Sequence, residues 1–151
     1  MAITTAMCTS FKGELLSATH DFDASGGNSF KLSLYAIGSG GKSSTTATLG
    51  AATTAFTTTG EVVSSGSYVT GGTALTNVNP ATSGTTGYTD FADHSYTTAT
   101  ITARGALIYN DTNGDKAVCA LDFGGNKTST AGTFTIAFPA AAASTAIIRI
   151  A

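Results

Sequence analysis

The sequence predicts a mainly β protein, a β-sandwich or jelly-roll-like domain with one N-terminal helix. Seven or eight short runs alternate apolar and polar residues, and Gly, Pro, Asn and Asp separate them. The stretch 99–123 reads as a hairpin, and helical periodicity appears only near the start of the chain. The chain has 151 residues, so we expect one domain over 1–151.

The N-terminal segment, residues 1–22, carries the helical pattern. Its stripe, with apolar residues four positions apart, consists of Ile3, Met7, Phe11 and Leu15. This spacing places side chains on one face of a helix and predicts a helix over Thr4–His20, with Leu16 widening the stripe. The apolar face either packs on the sheet or contacts a neighbouring subunit.

The next segments predict a strand, a long loop and a second strand. Residues 30–37, FKLSLYAI, carry apolar side chains on both faces, which is typical of a central strand. Residues 38–60 are rich in Ser, Thr and Gly and predict a long loop. A threonine-rich strand over 73–78 is expected to end at Asn79-Pro80, and a further loop follows over 81–88.

The central hairpin is the strongest local signal. Asn113-Gly114 between β-like runs predicts a two-residue type I′ turn, which needs positive φ at both positions. Gly105 inside the first strand indicates a bulge or a close backbone approach. We expect Arg104 to be ion-paired or at an interface, with a solvated position on the strand as the alternative.

After the hairpin, Gly124 to Lys127 is expected to turn the chain. Residues 134–138 alternate as a strand that stops at Pro139. Residues 147–150 form a last strand, and apolar side chains on both of its faces predict that it is buried in a sheet.

Composition restricts the classes of function. Charged residues are 11% of the chain and the net charge is -2, so the clustered cations of a nucleic-acid-binding protein are missing. No stretch is long and apolar enough to cross a membrane. The start of the chain lacks the features of a secretory signal, so we expect synthesis in the cytoplasm. Cys8 and Cys119 are then expected to be free, buried thiols rather than a disulfide.

The large aliphatic residues and phenylalanine make up about a fifth of the chain, which predicts a thin core of small side chains. A protein with such a core often gains stability from partner subunits.

Two sets of residues invite a chemical interpretation. Asp111 to Asp115, with Asp122 at the twelfth position, resembles a calcium loop. Lys116 stands where that loop needs glycine, and strands flank it, so a plain hairpin turn is the preferred interpretation.

His20 and His94, with Asp90 and Asp93, could be drawn as a hydrolytic site, but no Gly-x-Ser-x-Gly motif accompanies them. We expect the two carboxylates to hydrogen-bond a turn. We therefore predict no enzyme activity, no catalytic residue, no cofactor and no metal.

Several strings together resemble a protein family. They are MAITTAMCTSFKGELL, FKLSLY, DFAD, ITARGALIYND, AVCALDFGGNK and FTIAFPAAAASTAIIRIA. They are similar to small β-rich structural proteins of tailed bacteriophages and prophages, over nearly the whole chain apart from 38–60. The resemblance implies a non-enzymatic virion protein, made in the bacterial cytoplasm and incorporated in the phage head. It would be a capsid cement or decoration protein that binds the major capsid protein and itself as a homo-oligomer, expected to be a trimer, without nucleic acid or membrane.

The candidate residues for an oligomer or capsid interface are Ile3, Met7, Phe11, Leu15, Arg104, Ile148 and Ile150. The apolar members of this set are equally good candidates for the protomer core. The alternative function is a tail, baseplate or fibre component that binds the host surface. In that case exposed aromatic side chains, Tyr68, Tyr88 and Tyr96, would stack on sugars.

Overall fold

The computed structural model describes residues 3–37 and 47–151. It is 51% strand and 6% helix and consists of two antiparallel sheets with one short N-terminal helix, which confirms the predicted mainly β class and is consistent with a β-sandwich. The elements are β1 Ala6–Met7, α1 Thr9–Leu16, β2 Phe30–Tyr35, β3 Thr73–Ala74, β4 Asn77–Ser83, β5 Thr86–Phe91, β6 His94–Asn110, β7 Lys116–Ile136 and β8 Ile148–Ile150. The first part of the predicted long loop, 38–46, lies outside the described residues.

The five-stranded sheet has the order β1-β7-β6-β2-β3, and the three-stranded sheet has the order β4-β5-β8. The β6–β7 hairpin is the centre of the larger sheet, and it confirms the predicted hairpin while extending well beyond both ends of 99–123. Strand β2 pairs with β6 and β3, and side chains on both of its faces are buried, as expected of a central strand. In the described residues no helix is long and apolar enough to cross a membrane.

The hairpin turn differs from the predicted two-residue type I′ turn. It spans 111–115, and positive φ occurs at Gly114 (69°) and Asp115 (57°), not at Asn113. The side-chain oxygen of Asn110 accepts hydrogen bonds from the backbone N–H groups of Thr112 and Asn113. This bonding of an asparagine side chain to the following backbone stabilises the longer turn.

The predicted helix over Thr4–His20 is too long at both ends. Before the helix, Ala6 and Met7 form β1 and pair with β7 instead. The backbone hydrogen bonds to β7 stabilise this segment as a strand more than an extra helical turn would, because short helices are only marginally stable. Leu16, expected to widen the apolar stripe, is 92% exposed.

Pro80 does not end a strand, and the predicted loop over 81–88 is wrong. Strand β4 continues through Pro80, with a register shift between Val78 and Ala81, and β5 follows after a short turn. Strand β4 is the outer strand of its sheet. An edge strand tolerates proline because one side of its backbone needs no ladder partner.

The expected turn at Gly124 to Lys127 is also wrong, because β7 continues through it. Gly124 has a φ of 73°, which lets the strand bend without ending. Beyond the bend, Lys127 pairs with Ala103. The long partner strand β6 therefore overrides the local turn signal.

Gly105 lies beside a register shift in which Ala103 pairs with Lys127 and Gly105 with Asp122, so the extra residues belong to β7 and Gly105 is not the bulged residue. The other expectation for Gly105, a close approach, is confirmed, since a Cβ there would lie against the carbonyl oxygen of Leu121 and 2.8 Å from Cγ2 of Ile3. Part of the core is aromatic. Phe22 and Phe30 stack with ring centroids 4.3 Å apart.

Candidate interaction surface

The seven predicted interface residues occupy three kinds of position. Ile3 and Phe11 are in the core, with exposures of 1% and 0%. Ile3 forms an isolated bridge with Leu49, and Phe11 lies with its ring centroid 4.8 Å from that of His20. Neither side chain is available to another molecule, so both belong to the protomer core and not to an interface.

Met7 and Arg104 lie on the larger sheet. Met7 is partly buried in β1 and packs against the core. The Nε of Arg104 donates to Asp122 Oδ1 at 2.8 Å, and the second guanidinium bond is 3.3 Å long. The bonds from Arg104, together with one from the backbone N–H of Gly124, lower the pKa of Asp122. Arg104 is thus ion-paired, one of the two arrangements expected for it.

Leu15, Ile148 and Ile150 meet at one surface. They line a groove of about 640 Å³ between the end of α1 and the three-stranded sheet, together with Phe22 and Tyr88. We call it the helix-end groove. Ile150 is 59% exposed at this groove, whereas Leu16, which is 92% exposed, is not among the residues that line it.

The helix-end groove adjoins an open sheet edge. Strand β8 is outermost in the order β4-β5-β8, and β5 is the only strand that pairs with it among the described residues. Ile148 is buried, whereas Arg149 and Ile150 are exposed. The strand is therefore part of a sheet, as predicted, but it lies at the outer edge of that sheet with only Ile148 buried, and its outer backbone groups can accept another strand.

A buried polar network supports one wall of the groove. His20 Nε2 lies 2.8 Å from Oε2 of Glu14, and His20 Nδ1 lies 2.9 Å from Nδ2 of Asn110. An amide nitrogen can only donate, so Nδ1 accepts and the ring proton lies on Nε2. Both ring nitrogens are occupied, and neither can activate a hydroxyl group for nucleophilic attack.

Glu14 extends the same network to the hairpin. Its Oε1 is 3.0 Å from Nζ of Lys116, which links α1 to the start of β7. Burial opposes ionisation of Glu14, but the hydrogen bonds from His20 and Lys116, together with the charge of Lys116, outweigh it and lower the pKa of the carboxyl group. The network therefore fastens the helix to the sheet.

The acidic pair also has a structural role. Asp90 is 1% exposed, and its carboxylate accepts hydrogen bonds from the backbone N–H groups of Phe91 and Ile147. Asp93 accepts one from the N–H of Phe138. Both carboxylates thus accept hydrogen bonds from the backbone, as expected, although the donors belong to β5 and to the segments before β8 and after β7 rather than to a turn. Burial raises the pKa of Asp90 despite the two bonds.

His94 belongs to a separate chain of hydrogen bonds. Its Nε2 lies 3.0 Å from the hydroxyl of Thr73, which donates to the hydroxyl of Tyr96 at 2.9 Å. Burial lowers the pKa of His94 and raises that of Tyr96 to about 12. Tyr68 and Tyr96 are 1% and 0% exposed, so the expectation that they are exposed for sugar stacking is wrong. Tyr88 is half-buried in the helix-end groove.

Two of the three carboxylates of the suggested calcium loop form ion pairs. Asp111 pairs with Lys31 at 2.8 Å, and Asp122 pairs with Arg104. Within 3–37 and 47–151 no group of three or more His, Cys, Asp and Glu side chains could hold a metal ion.

The two thiols, Cys8 and Cys119, are free and buried, as expected. Burial raises their pKa values to about 11 and about 12, so both are protonated near neutral pH. A protonated thiol is a poor nucleophile.

A second groove lies at the other open sheet edge. Strand β1 pairs with β7 only at Cys119 and Ala120, so beyond Asp122 the side of β7 that faces away from β6 has no strand partner among the described residues. A groove of about 410 Å³ lies there, lined in part by Phe123, Lys127 and Phe134. We call it the strand-edge groove.

Sequence reasoning found three residues of the helix-end groove but neither groove as such. The alternating pattern of 147–150 marked Ile148 and Ile150, and the helical stripe marked Leu15. The open edge of β7 gave no signal, because it results from how short β1 is. Comparison of this chain with protein-family models, with curated proteins and with solved structures finds no match.

Proposed function

We propose that this protein is a non-enzymatic structural component of a tailed-bacteriophage virion, namely a capsid cement or decoration protein. It binds the major capsid protein on the phage head and stabilises the assembled shell. Two kinds of support lead to this proposal. One is the resemblance of the sequence strings to phage structural proteins, and the other is the character of the surface.

The observation that carries the proposal is the helix-end groove. Ile150, one of the four large apolar side chains that are exposed among the described residues, lines this groove beside the open sheet edge of β8. Exposed apolar surface next to unpaired strand edges favours binding to another protein. By contrast, the candidate catalytic groups, including His20 and Asp90, are held in structural hydrogen bonds.

A decoration protein acts by mass action. Many copies that bind only the assembled shell stabilise it in the same way that a ligand stabilises a folded state. Each copy needs a preformed surface, and the helix-end groove is positioned by rigid elements: α1 is fastened to β7 through Glu14, and β8 pairs with β5.

The experiment is the copy number of this protein in purified virions, measured by quantitative mass spectrometry against the major capsid protein. A ratio approaching one to one supports the proposal. A few copies per particle would replace it with a tail, baseplate or fibre role. Absence from the particle would contradict both.

A second measurement tests the binding surface itself. Purified protein is added to heads that lack it, and the heads are then sedimented. Ile150→Asp is expected to reduce the bound fraction, because Ile150 lines the groove and is 59% exposed. Val63→Asp is the matched control, since Val63 is 48% exposed and does not line the groove. Equal binding by both variants would contradict the assignment of this surface.

A further inference from the structure

The ring of His20 is enclosed by uncharged groups and one ion pair. Its side chain is 0% exposed. Three aromatic rings lie next to it, those of Phe11, Phe22 and Phe30. Glu14 is the one charged side chain that bonds to the ring among the described residues, and Lys116 pairs with the second oxygen of that carboxylate. The ring contacts the central hairpin through Nδ1, which lies 2.9 Å from Nδ2 of Asn110.

The amide of Asn110 can turn only its nitrogen toward His20. Its oxygen accepts hydrogen bonds from the backbone N–H groups of Thr112 and Asn113, at 3.1 and 3.2 Å. A backbone N–H can only donate, so these two bonds fix the side of the amide on which the oxygen lies. The nitrogen lies on the other side, where it donates to Nδ1 of His20 and, at 2.8 Å, to Oδ1 of Asn28.

Asn28 also excludes the flipped arrangement of the Asn110 amide. The oxygen of Asn28 accepts a hydrogen bond from the backbone N–H of Asp21 at 3.0 Å, which fixes the orientation of this second amide. A flipped Asn110 would place its own oxygen against that of Asn28. The network therefore has one arrangement, and in it Nδ1 of His20 accepts a hydrogen bond and carries no proton.

A second proton on the ring has no acceptor in this arrangement. A charged imidazole donates from both nitrogens, so its new N–H would face the N–H of the Asn110 amide. Burial further disfavours the charged form, and a buried donor without an acceptor is costly. Glu14 attracts a charged ring, but it bonds only to Nε2, and Lys116, 3.0 Å away, already balances its charge.

We infer that His20 is a pH-sensitive switch: the neutral ring joins the segment after α1 to the turn of the central hairpin, and the protonated ring releases that turn. The closed form holds neutral His20 and the open form takes up a proton, so lowering the pH favours the open form. His20, Asp21 and Phe22 line the helix-end groove, so opening moves one wall of this groove. The switch is a property of the free chain and does not rest on the proposed function.

The test is hydrogen exchange of the full chain at about pH 7 and about pH 5.5, expressed as protection factors, which remove the pH dependence of the exchange chemistry. The reporters are the backbone N–H groups of Asp21 and Asn113, which bond to the side chains of Asn28 and Asn110. If the open form titrates as an ordinary histidine at about pH 6.5 and the closed form binds no second proton, the opening constant rises about eightfold between the two pH values. Both protection factors are expected to fall by about this factor. That of Val62, whose N–H bonds to β2, is expected to stay constant.

Two variants assign the change in protection to one histidine. His20→Gln removes the titrating ring, and His94→Gln is the matched control, because these are the only two histidines of the chain. His94 bonds to Thr73, outside the network. The first variant is expected to lose the change in protection between the two pH values, and the control is expected to keep it. Asp90→Asn, at a buried carboxyl group whose pKa burial raises, is expected to keep it too.

An NMR titration of the wild-type chain keeps the test decisive even if His20→Gln fails to fold. The side-chain NH2 signals of Asn110 are expected to shift with the same midpoint as the ring protons of His20. Four results would overturn the switch: equal protection at both pH values, an equal fall at Val62, a pH response retained by His20→Gln, and Asn110 signals that do not follow His20. The virion copy number bears only on the proposed function, so either conclusion can fail alone.

Discussion

Replacing Gly105 with alanine probes the contact between the N-terminal segment and the central hairpin. The new Cβ would lie against the carbonyl oxygen of Leu121, 2.8 Å from Cγ2 of Ile3 and 3.0 Å from Cδ1. The Leu121 oxygen is backbone of the strand pair β6–β7, and Leu121 pairs with Ala106, so it cannot shift without disturbing the ladder. Inserting a methyl group into a packed site costs about 1–3 kcal/mol, and an immovable backbone neighbour places this variant near the upper limit.

The assay is urea unfolding of Gly105→Ala beside Gly125→Ala. Gly125 lies in β7, and a Cβ there meets nothing within 4 Å. The control is expected to be neutral or to gain about 0.4–1 kcal/mol, because alanine lowers the entropy of the unfolded chain. The free energies of unfolding should therefore differ by roughly 3 kcal/mol. Equal unfolding midpoints with equal slopes would refute the close approach.

Three further predictions concern stability and reactivity. Phe11→Ala is expected to cost about 3–5 kcal/mol in urea unfolding, whereas Leu16→Ala, at an exposed side chain, should cost less than about 0.5 kcal/mol. The pKa of Glu14 is lower in the folded state than its unfolded value of 4.5, so ionised Glu14 stabilises the fold above that pH, and this stabilisation is lost as the pH falls through the folded pKa. Glu14→Gln should therefore weaken the dependence of the free energy of unfolding on pH in the acid range. An unchanged pH dependence would contradict the network. Cys8 and Cys119 should resist a thiol reagent at pH 8 until the protein is unfolded, and rapid labelling of the folded protein would contradict their burial.

The strand pattern and the hairpin could be predicted because they depend on local sequence. Alternation over 30–37 and 99–123 places apolar side chains on sheet faces whatever lies beside them, and the close approach at Gly105 follows from a glycine within a strand. The free state of the two cysteines and the hydrogen-bonding role of Asp90 were also predicted, since each follows from the residue type and its immediate neighbours.

The errors arose where a distant strand competes with a local signal. Met7 continues a helical stripe, yet its backbone pairs with Cys119 of β7. Gly124 begins a turn-like sequence, yet the partner strand β6 holds the chain extended. Pro80 should end a strand, and it is accepted because β4 lies at the edge of its sheet. Such competition involves residues far apart in sequence, so the local pattern cannot predict its outcome.

The sequence by itself determined the β class, the central hairpin and which side chains are apolar enough to form a core or an interface. Only the tertiary structure decided between these two roles. Phe11 and Leu16 belong to the same short helix, yet one is 0% and the other 92% exposed. The physical reason is that burial depends on the surface that the rest of the chain places opposite a side chain. That surface forms only when strands distant in sequence have paired.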